Sequence, residues 1–331
     1  MGKTAIEWSD STWNPIRGCS RVSEGCRNCF AERIAARFSG PGQPYEGLAR
    51  MGENGPRWTG EVRLIESVLF QPLRWREPRR VFVNSMSDLF HESLRDNQID
   101  WVFAVMQASP WHTFQVLTKR PERMRAYIAG AEERMANTGE ELAGAMGWCH
   151  AHEHRAWPLD NIWLGVSVEN QDTADERIPP LMRTPAAVRF VSCEPLLAPI
   201  DLDDWLYEPT HCRACGHHKA YYDTNPKNLP VIYECLMGVG ITGEPGAPRC
   251  MACHSLEIDE LNGLRWVIVG SESGPDARSM EEEWARSIKN QCALASVPFF
   301  FKQKIDARGK KVSLPLLDGT QWKQFPEVSR G

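Results

Sequence analysis

The chain has no run of eighteen consecutive apolar residues, which argues against a membrane-spanning helix. Met1 to Trp13 shows no basic stretch followed by an apolar one, so no secretory leader is expected. Positive charge is not in surplus either: 38 Lys and Arg stand against 43 Asp and Glu, for a net charge of −5 and a pI near 6.0. The whole molecule is therefore no electrostatic glue for nucleic acid, and such binding has to come from a local basic patch. Familiar enzyme signatures are missing too. There is no P-loop and no Ser-His-Asp spacing, and His91-Glu92 lacks the second His of a zinc protease motif. The expectation is a cytoplasmic protein with no membrane partner, in which eleven cysteines serve as metal ligands or catalytic groups more readily than as cross-links.

What is present starts with Gly18-Cys19-Ser20-Arg21-Val22-Ser23-Glu24-Gly25-Cys26-Arg27-Asn28-Cys29. Cys26 and Cys29 have the spacing with which two thiolates grip one metal centre, and Cys19 lies just upstream on a loop punctuated by glycine. Thiolates select zinc, copper(I) or iron–sulfur clusters. No fourth Cys or His is near, so the loop suits either a [4Fe-4S] cluster with one iron left open or a zinc completed from far along the chain.

A second group, Cys212, Cys215, Cys250 and Cys253, reads as C-x2-C-x34-C-x2-C, the two knuckles of a zinc ribbon. Residues 203–262 then form an inserted module whose folding free energy comes from the metal, because the segment has little apolar content. Cys235, between the knuckles, reads as a buried structural thiol. Gly238-Val239-Gly240-Ile241-Thr242-Gly243 matches a dinucleotide fingerprint but is followed by Glu244-Pro245-Gly246 where a helix should begin. Cys149-His150-Ala151-His152-Glu153-His154 reads as an incidental His-rich loop.

The remainder, residues 1–202 and 263–331, alternates β-rich apolar runs with helix-like segments such as Ile99–Gln107 and Met280–Ala293. The runs begin at Val81, Thr113, Ile162, Val188, Trp266 and Pro298. This is the pattern of βα units around a parallel sheet, an α/β fold of partial-barrel type. Each run ends in polar residues, among them Asn84-Ser85-Met86-Ser87-Asp88, Thr118-Lys119-Arg120, Ser167-Val168-Glu169-Asn170, Ser192-Cys193-Glu194 and Ser271-Glu272. One polar strand end needs no explanation beyond a loop; six in succession suggest one mouth where ligands and chemistry sit. Arg74, Arg76, Arg79, Arg80, Lys119, Arg120, Arg123 and Arg125 are candidates for a phosphate-binding rim around it.

Together these stretches resemble a phage- and prophage-associated three-cysteine family related to radical S-adenosylmethionine (SAM) enzymes, distantly like spore photoproduct lyase. Thr12-Trp13-Asn14-Pro15 through Cys29, Asn84 to Phe90, Leu117 to Pro121, Leu164 to Asn170, Ser192 to Leu196 and Gly270 to Pro275 carry the resemblance. It implies a partial (β/α)6 barrel of TIM-like, radical SAM type, with Cys19, Cys26 and Cys29 ligating a [4Fe-4S] cluster whose open iron takes SAM. Ser85, Ser87 and Asp88 would then meet the SAM amino group and Lys119 its carboxylate. Ser167, Glu169 and Asn170 are implied for the ribose or substrate, while Glu194 and Glu272 would face the interior of the mouth. The resemblance also implies an external electron donor and a nucleic acid or nucleotide substrate, while zinc in the insertion rests on the cysteine spacing alone. The usual spacing in the wider radical SAM superfamily is C-x3-C-x2-C, where this chain has C-x6-C-x2-C. The competing expectation is a non-catalytic metal-stapled barrel that binds nucleic acid or a phage or host protein.

Overall fold

The computed structural model describes residues 4, 6–53, 55–146, 157–206, 210–212, 220–221, 249–250, 258–260, 263–306 and 308–327. Seven strands run parallel in strict chain order: β1 (Ser11–Trp13), β2 (Arg80–Val83), β3 (Thr113–Thr118), β4 (Ile162–Ser167), β5 (Val188–Cys193), β6 (Trp266–Gly270) and β7 (Phe299–Ile305). An eighth, β8 (Lys311–Ser313), closes the far edge antiparallel to β7. The sheet curls into a half-barrel. All six expected apolar runs are strands of it. The seventh, β1, is set by its pairing Ser11 to Val81, Thr12 to Phe82 and Trp13 to Val83.

Helices fill the crossovers. α1 (Phe30–Arg37) follows the third cysteine, α2 (Asp96–Gln107) joins β2 to β3, and α3 (Pro121–Ala129) and α4 (Ala131–Met146) follow β3. α5 (Gln171–Met182) joins β4 to β5 and α6 (Glu282–Leu294) joins β6 to β7. α3 opens on Pro121, where a missing N–H costs nothing. The stretch after α1 contains an antiparallel hairpin, Ala49–Gly52 with Gly55–Trp58, packed on α1. A short helix, Glu66–Leu69, and a 3-10 turn at Pro72–Arg74 follow.

Because side chains alternate across a strand, the two faces of the sheet bury different sets. Val81, Val83, Phe114, Val116, Leu164, Val166, Val191, Val267, Val269, Phe299 and Phe301 pack against the helices in the main core. Trp163, Phe190, Trp266, Ile268 and Phe300 point to the other face and meet Trp8 and Phe325 from outside the sheet. β4, β5 and β6 are buried along their whole length, as strands covered on both faces must be. No helix among the described residues is long and apolar enough to cross a membrane.

Residues 203–262 lie between β5 and β6. Within them Thr210–Cys212 pairs with Ile258–Glu260 and Ala220–Tyr221 with Arg249–Cys250, both antiparallel and outside the main sheet. Cys215, Cys253, Cys235, the Gly238–Gly243 stretch and the Cys149–His154 cluster lie outside the described residues.

Candidate metal centre at the mouth of the sheet

β1 delivers the chain to the carboxyl end of the sheet, and the cysteine loop begins there. Gly18 adopts φ +94°, and a Cβ on it would lie 2.0 Å from the Glu61 carbonyl oxygen, so no other residue enters this bend without displacing backbone. The loop then crosses the mouth and is tied to the carboxyl ends of β2, β3, β4 and β6.

At β2 and β3 the tie is Arg120. Its guanidinium donates to the Ser20 hydroxyl at 2.8 Å, to Asp88 at 3.0 Å and to Glu92 at 2.7 Å. Asp88 also accepts from the Thr118 hydroxyl at 2.7 Å and the Lys119 amide at 3.1 Å. Ser20 is held from a second side by His91 Nε2 at 2.9 Å. Burial depresses the His91 pKa, with Arg120 adding to the effect, so the imidazole is neutral. Ser85 donates to Asn14 at 3.2 Å and Ser87 to the Ile16 carbonyl at 2.9 Å, which ties the end of β2 to the end of β1.

At β4 the tie is Glu169. This carboxylate is buried and accepts from Lys119 Nζ at 2.8 Å, from Arg177 at 3.1 Å and from the Ser23 hydroxyl at 2.9 Å. The two cations and the serine outweigh burial and hold its pKa below the usual carboxylate value. Gly25 rests directly on it, since a Cβ there would lie 2.2 Å from Glu169 Oε1. Lys119 also donates to Ser167, whose hydroxyl reaches the Glu194 carbonyl at 3.2 Å. At β6 the tie is Glu272, which accepts from Asn28 at 2.9 Å and from Arg278 at 2.7 Å, while Arg278 donates back to the Glu24 carbonyl at 2.8 Å. Arg278 and Asn28 hold the Glu272 pKa low against burial. Glu194 pairs with Lys302 of β7.

The three thiols share this setting. Burial pushes Cys19 up to about 12, with Asp88 and both other thiols adding and Arg120 opposing. Burial likewise raises Cys29, and Cys26 adds to it. Buried neighbouring thiols of this kind stay protonated unless a cation compensates them, which is what a metal centre does. Among the described residues no three His, Cys, Asp or Glu side chains converge as a single ion requires. A cluster distributes its thiolates over different irons and does not ask for that convergence.

Of the residues expected in the site, the structure brings together Cys19, Cys26, Cys29, Asp88, Lys119, Ser167, Glu169, Glu194 and Glu272 around the mouth. It gives most of them partners from the protein itself. Ser85, Ser87 and Asp88 bind backbone and neighbouring side chains. Asn170 is the N-cap of α5, accepting from the Thr173 amide at 3.0 Å, and does not face the mouth as a ligand. The expected basic rim is divided between the two ends of the sheet. Arg79 immediately precedes β2 and Arg80 opens it, so both lie at the opposite end of the sheet, where Arg80 pairs with Asp10 at 3.1 Å and covers the Phe325 ring at 3.9 Å. Arg120, Arg123 and Arg125 are paired with Asp88, Asp96 and Glu122. Sequence reasoning missed Ser20, Ser23, Asn28, His91, Arg177 and Arg278. Only Arg177 left a trace, as a lone cation among the apolar positions Ala174, Ile178 and Leu181 of α5.

These features define an α/β protein whose sequential parallel sheet carries a three-cysteine loop across its carboxyl mouth. The chain belongs to a family described as a protein of unknown function, DUF5131, which it matches over residues 3–326. No curated protein and no solved structure matches it.

Proposed function

We propose that the chain is an iron–sulfur enzyme of radical SAM type, in which Cys19, Cys26 and Cys29 hold a [4Fe-4S] cluster at the mouth of a TIM-like partial barrel. When bound, that cluster supplies reductive cleavage of SAM by an external electron donor, and the substrate class is a nucleic acid or nucleotide. The observation that carries this reading is geometric: Cys19, Cys26 and Cys29 stand on one loop whose Ser20, Ser23, Glu24 and Asn28 are tied to four strand ends. Three thiolates leave one iron to an exchangeable ligand. The chain's own residues then have distinct tasks. Arg120 and His91 fix Ser20 beside Cys19, Glu169 fixes Ser23 and Gly25, and Glu272 with Arg278 fixes Glu24 and Asn28. Lys119, still partly exposed, is the ammonium available to a carboxylate. Zinc belongs in this reading to Cys212, Cys215, Cys250 and Cys253, and the strands ending at Cys212 and Cys250 lie against each other.

A second reading is favoured by the pairing of the strand-end charges with one another: a scaffold that binds nucleic acid or a phage or host protein through a metal-stapled loop. Anaerobic purification separates the two. The enzyme reading expects brown protein with iron and sulfide in equal amounts, both lost in Cys19→Ser, and 5′-deoxyadenosine on adding SAM and dithionite. Brown protein that yields no 5′-deoxyadenosine favours the scaffold. Colourless protein with zinc at both cysteine groups overturns the enzyme.

A further inference from the structure

The chain is acidic overall, yet residues 17–63 contain eight arginines and no lysine, against five glutamates and no aspartate. Four of those arginines form two cross-strand pairs. Arg17 lies directly opposite Arg63 in the ladder Ile16–Arg17 with Arg63–Leu64, and Arg50 lies directly opposite Arg57 in the hairpin over α1. Directly opposed residues project from the same face, and like charges so placed are destabilising unless something of opposite sign joins them. No carboxylate among the described residues does so. Arg17 donates to the Pro44 carbonyl at 3.1 Å and lies 5.5 Å from the centre of the Tyr45 ring, while Arg63 donates to the Glu46 carbonyl at 3.0 Å. Arg57 reaches only the Pro56 carbonyl, and exposed Arg50 has no partner among the described residues. Elsewhere the arginines around the mouth, Arg120, Arg123, Arg177 and Arg278, are each neutralised by Asp or Glu.

The two pairs lie beside the mouth. Arg17 precedes the bend at Gly18, Glu61 and Val62 touch that bend, and α1 under the hairpin starts directly after Cys29. Phe30 and Phe38 on α1 are exposed, at 58% and 40%. Uncompensated guanidinium pairs with exposed rings alongside are the combination that follows a phosphodiester backbone and stacks its unpaired bases.

We infer that Arg50 and Arg57, continued by Arg17 and Arg63, form a phosphate-binding track for single-stranded nucleic acid that leads to the cysteine loop. The inference rests on the proposed function only for where the track leads; the binding stands without it.

Fluorescence anisotropy of a labelled single-stranded oligonucleotide against the full-length protein, over a salt series, tests the track. The variant is Arg50→Glu with Arg57→Glu, which spares the carbonyl contacts of Arg17 and Arg63. Its affinity is expected to fall at least tenfold, and the salt slope to shrink by about 1.4 for two lost phosphate contacts. Arg308→Glu, an exposed charge on the β7–β8 turn, should leave both unchanged. Arg50→Gln alone, which removes a charge that has no partner among the described residues, reads the same loss in smaller measure if the double variant does not fold. Absence of binding by the wild type in low salt, or unchanged affinity in the variants, overturns the track. Competition by polyglutamate as strong as by an oligonucleotide of equal charge overturns it in favour of an acidic protein partner. Cys19→Ser protein should bind the oligonucleotide as wild type does. Wild-type protein that binds the oligonucleotide yet yields no 5′-deoxyadenosine with SAM and dithionite defeats the proposed function and leaves the track standing.

Discussion

The face of the sheet turned away from the helices has two ends built on opposite principles. Its floor is aromatic: Trp266 meets Trp163 at 5.8 Å, Phe190 at 5.6 Å, Trp8 at 6.0 Å and Phe325 at 5.3 Å. Its mouth is ionic, with Glu169, Glu272 and Asp88 each joining a strand end to the cysteine loop, the last through Arg120. Ring packing is non-directional and survives small shifts, whereas each buried carboxylate needs its partner in place. The floor therefore decides whether the sheet holds together. The mouth decides where the cysteines stand.

Trp266→Ala should produce the largest change, a loss of about 3–5 kcal/mol in urea unfolding, because it removes the ring at the centre of the floor. Under the proposed function, iron bound per folded molecule should not change. Glu169→Gln should do the reverse. It leaves Arg177, 2% exposed, without its counter-charge, at a cost of about 3 kcal/mol, and it releases Ser23, so iron loading should fall severalfold in the protein that remains folded. If Trp266→Ala strips iron as Glu169→Gln does, the division between floor and mouth is wrong.

Acid should act on the mouth first. Glu169 and Glu272 have folded-state pKa values below the ordinary value of 4.5. A carboxylate depressed by folding contributes stability that is fully present above the unfolded value and is lost as pH falls through the folded one. Unfolding free energy should thus be flat in these two groups above about pH 5 and decline below about pH 4.5. Glu169→Gln should flatten that decline. Hydrogen exchange at pH 4 should show amides of residues 19–29 opening while those of β5 and β6 stay protected; simultaneous opening would mean the two ends are one cooperative unit.

The sheet was legible because parallel strands buried on both faces leave near-continuous apolar runs, as at Ile162–Ser167 and Val188–Cys193. β1 was not, since Ser11-Thr12-Trp13 is too short to show a pattern and is set by its neighbour Val81–Val83. The cysteines were legible from spacing alone, but their supports were not. Ser23 meets a carboxylate 146 residues away and Asn28 one 244 residues away, and no local pattern records such a pairing. Arg79 and Arg80 fall outside the basic rim for a plainer reason: they stand at the start of a four-residue strand whose far end opens on the mouth, and about 10 Å of extended chain separates the two ends.

Asn170 shows how a strand-end polar residue can serve the helix and not the mouth. Its side chain accepts from the Thr173 amide while Thr173 accepts from the Asn170 amide at 3.1 Å, a reciprocal cap on α5. Asn170→Ala should therefore cost about 1 kcal/mol in urea unfolding, and Asn170→Ser, which keeps an accepting oxygen, should recover most of it. Neither change should alter iron content or the decline in acid, because Glu169, one residue earlier, faces the other way into Lys119 and Arg177. Loss of iron in Asn170→Ala with stability intact would return this residue to the mouth.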